Sequence, residues 1–341
     1  MIRRLFIKLT HWEYWPFSLL YFPVFFYYAW LVIKHRSFFF FTVSNPSIEF
    51  GGMFGERKSD IFKLIPTEYL PQTNLIRRRD VERAAFTAEQ IGFPLIAKPD
   101  IGERGTWVEK INDQHELQEY VESCPVDFLL QEMISYPIEL GVFYVKMPGH
   151  DGKITSIVRK EFLKVEGDGK QTILELVKEI DRAQLTANLN SGFLRIKGHQ
   201  IPGEGEQVLI EPIGNHCRGT KFLNDTEKIG KELNEAFNEL ASQIPDFYFG
   251  RFDLKCQSYD DLKQLRNFKI LELNGAGAEP GHIYQPGYPL WKAYRDIFWH
   301  LAVLSDISAQ NRKKGHSYWS FWQGFKMWNS HRRYNRLLTN S

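Results

Sequence analysis

Hydrophobic and polar positions divide this chain into a charge-free front and a long alternation of strand-like and helix-like runs. Trp15 to Ile33 (WPFSLLYFPVFFYYAWLVI) is nineteen residues long, carries no charge and is crowded with aromatics. About twenty apolar residues span a bilayer, but Pro16 and Pro23 interrupt this run. It is unlike a signal peptide, being too aromatic and lacking a small-residue cleavage site. Basic residues flank both ends (Arg3, Arg4 and Lys8; Lys34 and Arg36), so the positive-inside rule gives no orientation. Three readings fit: a single span, a re-entrant or interfacial hairpin with cytosolic ends, or a helix buried against the rest of the chain or a dimer partner. Ahead of it, Ile2, Leu5, Phe6 and Leu9 repeat at helical spacing, as in an amphipathic surface helix. Ser37 to Met53 reads as a strand followed by a turn-rich loop.

Beyond residue 56 the pattern is regular. Val81, Ala84, Ala85 and Ala88 share one helical face between Asp80, a natural N-cap, and Gly92. A second helix is centred on Leu117–Val121. The apolar runs before Lys98, at Phe128–Met133 and in IELGVFYV (138–145) read as buried strands, and Ile154–Lys164 alternates as a half-buried one. Thr172 with Glu175 makes a capping box ahead of Ile173, Leu176, Val177 and Ile180. Val208–Ile213 is strand-like, and Ile229, Leu233, Ala236, Phe237 and Leu240 mark a core-facing helix. From Ile307 to Ser341 there are seven Lys/Arg, seven aromatics and no acid, with Tyr318, Phe321, Trp322 and Phe325 at helical spacing. Such faces suit an interfacial helix, or a C-terminal helix packed on the N-terminal one.

A chain of 341 residues holds one large or two to three small domains. A formal net charge of +2 argues against a dedicated nucleic-acid partner. Cys124, Cys217 and Cys256 are scattered without a CxxC, which fits a reducing compartment and neither zinc nor a disulfide framework.

Candidate chemistry concentrates in two stretches. Asp253 lies in GRFDLKC, and Glu272 and Asn274 lie in KILELNGAGAEPGH. In a strand, residues i and i+2 face one side, so Glu272 and Asn274 project together, joined by Asp253 if its strand pairs alongside. Two carboxylates and an amide oxygen are hard ligands that suit Mg²⁺ held with nucleotide phosphates; two buried strands whose acids cap turns or pair with cations fit equally. In PLIAKPDIGERGTWVEK (94–110) an apolar run ends at Lys98 and a loop follows with Gly102 and Gly105. Glycines admit phosphate oxygens to backbone N–H groups, although a glycine loop alone is as readily a hairpin. The GxxxxGK[ST] spacing of a P-loop is absent.

Together IAKPDIGERGTWV (96–108), LLQEM (129–133), GRFDL (250–254) and LELNGAGAEPGH (271–282) resemble the ATP-grasp superfamily, most of all its D-alanine–D-alanine ligase branch. GDGKQTILEL (167–176) is similar to an element of cyanophycin-synthetase-like ligases. The resemblance covers roughly residues 56 to 305. It implies an α+β ATP-grasp fold, two α/β subdomains gripping ATP between antiparallel sheets, behind a hydrophobic N-terminal helical segment. The expected organisation is 1–50 hydrophobic and membrane-associating, 51–305 catalytic, and 306–341 a basic aromatic helix. The resemblance implies ATP with Mg²⁺, or Mn²⁺ on the same ligands, held by Asp253, Glu272 and Asn274. Lys58, Lys98 and Lys160 would reach phosphates, and Gly102, Arg104 and Gly105 would cover them. Gln131, Glu132, Met133 and Ile134 would form the adenine hinge, and Glu139 would take the ribose. Arg251 would face the oxyanion formed when an amine attacks an acyl phosphate, with Lys98 the second catalytic cation. Bland alternatives are a solvated Lys58, a Glu139 on an edge strand in solvent, and an Arg251 salt-bridged to a neighbouring acid.

Two departures bear on substrate. The branch's Ser-Pro-Gly is here Glu279-Pro280-Gly281, which disfavours a carboxylate-bearing acceptor, and the hydrophobic segment stands in place of the branch's first domain. The expected function is an ATP- and Mg-dependent carboxylate–amine ligase at the cytoplasmic face of a membrane, with small-molecule or lipid-linked acid and amine substrates and a homodimer as a further option. Alternatives are an ATP-grasp enzyme acting on a glycan- or lipid-linked acceptor, a phosphotransferase, and a non-catalytic ATP-binding scaffold.

Overall fold

Strands with one apolar face need a partner layer, and this chain builds two antiparallel sheets with helices behind them. The computed structural model describes residues 12–103, 105–180, 183, 192–211, 214 and 219–339. The amphipathic pattern at residues 2–9, Arg104 and Cys217 lie outside the described residues.

Thr73–Ile76 (β1), Leu95–Pro99 (β2), Glu109–Ile111 (β3) and Phe128–Glu132 (β4) form the first sheet, in the order β1-β4-β2-β3. Helices Val81–Ile91 and Gln114–Ser123 cover one face, bringing Ala84, Ala88, Leu117 and Val121 against Leu95, Ala97, Phe128 and Leu130. Both begin where a carboxylate satisfies a free N–H group: Asp80 accepts from the Arg83 amide at 3.1 Å and Asp113 from that of Glu116 at 3.0 Å.

Ile138–Lys146 (β5), Gly152–Glu161 (β6), Lys221–Asn224 (β9), Phe249–Cys256 (β10) and Phe268–Asn274 (β11) make the second sheet, in the order β11-β10-β5-β6-β9. Lys164–Glu166 (β7) and Gln207–Leu209 (β8) pair as a separate ribbon, and its small core is shared with Ile173–Glu179, the helix that starts on the Thr172–Glu175 capping box. Leu233, Phe237 and Leu240 of helix Lys231–Ser242 fill one face of the large sheet, against Val142, Tyr144 and Phe252. Every pairing among the described strands is antiparallel.

The other face of that sheet is covered by helix Leu290–Lys313 and by the stretch expected to be a strand. Ser37 to Met53 instead forms two 3₁₀ turns, Phe40–Val43 and Glu49–Gly52, and Phe40, Phe41 and Phe50 are buried against Phe143, Phe249, Leu304 and Ile307. Strand preference of aromatics depends on where the rings pack; here they fill a gap between layers and the backbone turns. Asn45 holds the turn in place. Its side chain accepts from the Tyr248 and Phe249 amides at 2.9 and 3.0 Å and donates to the carbonyls of Gly51 and Phe249 at 3.0 and 2.8 Å. The glycines then lie against the loop after β11. Ala276 and Gly277 donate to the carbonyls of Gly51 and Gly52, and a Cβ on Gly275 would sit 2.5 Å from the Gly51 oxygen.

The two prolines divide the hydrophobic front into helices Phe17–Leu20, capped by Pro16, and Phe22–His35, with Pro23 in its first turn where no N–H partner is needed. Among the described residues no helix is long and apolar enough to cross a membrane. Trp12, Leu20 and Val24 pack on Ile283, Ala293 and Ile297, and Leu31 joins the core under the large sheet. The C-terminal helix, Phe321–Thr339, lays Gly324 on the ring of Phe39, and its Leu338 carbonyl accepts from Trp107 Nε1 at 2.9 Å.

Candidate active site

The two sheets bound a cavity of about 600 Å³, within the range of small-molecule sites. Every site residue singled out from the sequence that lies among the described residues lines it: Lys58, Lys98, Gly102, Gly105, Gln131–Ile134, Glu139, Lys160, Arg251, Asp253, Glu272 and Asn274.

β10 and β11 pair in a register that brings the three expected ligands together. Asp253 is opposite Glu272 and Arg251 opposite Asn274, and the Asn274 amide donates to Asp253 at 2.9 Å. The register then slips, since Leu254 pairs with Ile270 and Leu271 has no counterpart. Such a bulge frees a backbone group from the ladder. The Leu271 carbonyl accepts from Lys98 Nζ at 2.9 Å, so a lysine of the first sheet is tied to the second. Lys98 also donates to Gln131 Oε1 at 2.9 Å, and Gln131 in turn donates to Thr73. Gln131 thus sits mid-sheet, in register with Thr73 and Ile96, and its side chain positions Lys98. The segment after β4 is held by Lys255, which donates to the Ile134 carbonyl at 3.1 Å.

Asp253 is buried beside Arg251 at 2.9 Å and Lys160 at 3.3 Å. Burial alone would raise its pKa, but those cations hold the carboxyl below the usual range. Burial likewise disfavours the charge on Lys160, and Asp253 with Glu139 outweighs it, raising that ammonium's pKa. Arg251 therefore makes the salt bridge that was the bland alternative, while its Nη1 reaches the Glu279 carbonyl at 3.2 Å and the side chain still faces the cavity. Glu139 is not an edge residue in solvent: it is buried between Lys160 at 3.0 Å and Lys255 at 3.9 Å. Nor is Lys58 a free surface lysine, since Nζ donates to the Gly102 carbonyl at 2.7 Å and lies 3.5 Å from Glu272. Its helix is anchored by Asp100, which accepts from the Ser59 amide at 2.8 Å. Lys98 has the opposite balance to Lys160, burial lowering its pKa to about 8.

Among the described residues no three His, Cys, Asp or Glu side chains are grouped to hold a metal unaided. Asp253, Glu272 and Asn274 offer two carboxylates and one amide oxygen, which fits a Mg²⁺ bound through few protein ligands and completed by phosphate oxygens and water.

Several lining residues escaped the sequence reading. Lys255 had a signal, being two residues beyond Asp253 on the same strand face. Gly52, Met53 and Glu56 come from the turn docked on the Gly275 loop, and Trp15, Phe17 and Leu20 come from the hydrophobic front. There Tyr21 donates to Glu279 Oε1 and Tyr284 to Oε2, the latter at 2.6 Å. Burial raises the Glu279 pKa despite the Tyr284 bond. The glycine loop is held from outside by the C-terminal helix, whose His331 lies 3.3 Å from Glu103.

No family model matches the chain. It is 23% identical over 224 residues to the carbamoyl phosphate synthase large chain, C-terminal section, of Methanopyrus kandleri, a match covering 56% of this chain and 40% of that protein. The chain thus spans well under half of that relative's length. Among solved structures it is similar to D-alanine–D-alanine ligase from Bacillus anthracis (14% identity, 76% of this chain, 69% of that one, TM-score 0.43). It is also similar to a bifunctional glutathione synthetase from Pasteurella multocida (13% identity, 71% of this chain, 35% of that one, TM-score 0.38). With its Lys-Pro strand, glycine loop and D…ExN strands gathered on one cavity, the chain resembles the ATP-grasp ligases.

Proposed function

We propose that this protein is an ATP- and Mg-dependent carboxylate–amine ligase. The observation that carries the reading is the single cavity in which Lys58, Lys98 and Lys160 converge on the register-paired Asp253 and Glu272. Three lysines on an acidic pair make little sense as a packing device, because buried unlike charges rarely repay their desolvation. They do make sense as a seat for a polyphosphate. Asp253, Glu272 and Asn274 would hold the Mg²⁺, which when bound supplies charge neutralisation between the phosphates. Lys98, fixed by Gln131 and the Leu271 carbonyl, would bind the phosphate oxygens, and the Gly102–Gly105 loop would cover them and exclude water.

Transfer of the γ-phosphoryl group to a substrate carboxylate gives an acyl phosphate and ADP. The amine then adds to that carbonyl, the new C–N bond forms, and inorganic phosphate leaves as the nitrogen loses a proton. Arg251 would face the oxyanion of this second step, held in place by Asp253 and the Glu279 carbonyl. Glu279 argues against D-alanyl-D-alanine as product, because a carboxylate held by Tyr21 and Tyr284 repels an amino-acid acceptor's own carboxylate. The test is ADP release with Mg-ATP and pooled acids and amines. ADP together with a product lighter than its two precursors by one water supports the ligase; ADP with a phosphorylated product replaces it by phosphotransfer.

A further inference from the structure

Two helices carry more exposed aromatic surface than the fold needs. On Phe22–His35 the side opposite Val24 and Leu31 presents Phe22, Phe25, Phe26, Trp30 and Ile33, spacings that place them on one face. On Phe321–Thr339 the rings of Phe321, Trp322, Phe325 and Trp328 are exposed and pack on one another. Phe38 joins the two helices. Its ring meets Phe321 at 6.0 Å, and its carbonyl accepts from Tyr28 of the first helix at 2.6 Å. Ile33 and Trp322 are each about three-quarters exposed, at 75% and 74%. Exposed aromatic patches of this kind mark interaction surfaces.

Charge identifies the partner. Neither residues 14–38 nor residues 307–341 contain an acid, and Arg36, Lys326, Arg332 and Arg333 are exposed on these elements. Arg332 lies over the Trp328 ring at 4.9 Å. Rings for the acyl boundary, with cations for phosphate headgroups and one neighbouring carboxylate, Asp306, neutralised by Lys34 at 3.3 Å, are complementary to an anionic bilayer. A second copy of the chain would set like charges against each other. The face also reaches the cavity: Phe17, 51% exposed, stacks on Tyr21 at 4.2 Å and lines the cavity's Glu279 end with Trp15 and Leu20.

We propose that these helices form one face that docks on an anionic lipid bilayer and turns the Phe17 end of the cavity toward it. An acceptor carried on a lipid would then enter past Phe17 with its polar end toward Arg251. Docking stands apart from the ligase reading; only the entry of the acceptor rests on it.

The test uses the full chain without nucleotide, so failure of the ligase assay leaves it untouched. Flotation is compared on vesicles of phosphatidylcholine with and without phosphatidylglycerol, and an environment-sensitive dye is placed, in a Cys217→Ser background, on Leu19→Cys, exposed beside Phe17 on the same short helix, or on Glu235→Cys, exposed on helix Lys231–Ser242 behind the large sheet. Binding is expected only with phosphatidylglycerol. It should fall at least tenfold in Trp322→Ala/Phe325→Ala, and likewise in Arg332→Glu/Arg333→Glu should the first variant melt below the wild type. The dye at Leu19 should shift to the blue on the vesicles and the dye at Glu235 should not. Absence of flotation, unchanged flotation in both double variants, or a dimer in light scattering that hides Trp322 would overturn the docking. A silent Leu19 dye on floated protein would overturn the placement of the cavity.

Discussion

Raising the pH from 7 to 9 should weaken ATP binding about tenfold, through one side chain. Lys98 is 7% exposed. Burial brings its pKa from 10.5 to about 8, with Glu272, Asp253 and Glu139 opposing the fall and Lys58 assisting it. Each tenfold change in proton affinity is worth about 1.4 kcal/mol, so the site holds the ammonium about 3 kcal/mol less favourably than water does. A polyphosphate reverses this by bringing negative charge to the ammonium. The free protein passes from about nine-tenths charged at Lys98 to about one-tenth over this range while the complex stays cationic, and that ratio sets the loss of affinity. At pH 8 binding should take up about half a proton, seen by calorimetry in two buffers of different ionisation enthalpy.

Stability should move the other way. The folded pKa lies below the unfolded one, so between about 8 and 10.5 the unfolded chain binds the extra proton, and this group's contribution to folding improves as pH rises. Glu272→Gln removes the largest attraction opposing the fall and should shift the midpoint lower. A flat affinity from pH 7 to 9, or an undiminished pH dependence in Lys98→Met, would refute the assignment of Lys98 to the phosphates.

Glu272→Gln should lower turnover at least a hundredfold with a small change in melting temperature, because its side chain is 35% exposed; steady-state ADP release and a thermal melt check both. Asp253→Ala should also abolish turnover but melt lower, by about 3 kcal/mol in a denaturant titration, since buried Arg251 would lose its carboxylate and Lys160 would keep only Glu139. Asn45→Ala leaves the Tyr248 and Phe249 amides and the Phe249 carbonyl without their Asn45 partner, while the Gly51 carbonyl keeps the Ala276 amide, and it should destabilise by about 3 kcal/mol on the same titration. Gly275→Ala forces a methyl to 2.5 Å from the Gly51 oxygen. It should cost about 1–3 kcal/mol and weaken nucleotide binding in calorimetry by displacing the Gly52–Glu56 wall.

Local chemistry made the strands of the candidate site legible. Alternation at 249–254 and 270–274 placed Asp253, Glu272 and Asn274 on strand faces, and one pairing brought them together. The capping residues Asp80 and Thr172 also worked as read, because a cap depends only on neighbours three residues away. What could not be read was whatever depends on residues distant in sequence. FFFF at 38–41 has the composition of a strand, yet its rings fill the gap between the large sheet and helix Leu290–Lys313 while its backbone turns. The part that Gln131 plays rests on Thr73, 58 residues earlier in the chain. Glu139 has the sequence context of an edge acid, but two lysines from β6 and β10 enclose it.

The hydrophobic front shows what that distinction means for function. Its apolar pattern is that of a membrane element, and its packing is partly that of a core: Leu20, Val24 and Leu31 are buried, while Phe22, Phe26 and Trp30 are not. One segment therefore does two things along different faces. Inward, it completes the far wall of the cavity through Trp15 and Leu20, and Tyr21 fixes the Glu279 carboxylate. Outward, it carries the aromatic surface. A segment kept only for stability would bury its aromatics on both counts, and a pure anchor would have no reason to bond Glu279. Tyr21→Phe separates the two. It removes the Glu279 bond without touching the outward face, so vesicle binding should be unchanged while KM for the acceptor rises severalfold. Loss of vesicle binding in that variant would mean that the two faces are not independent.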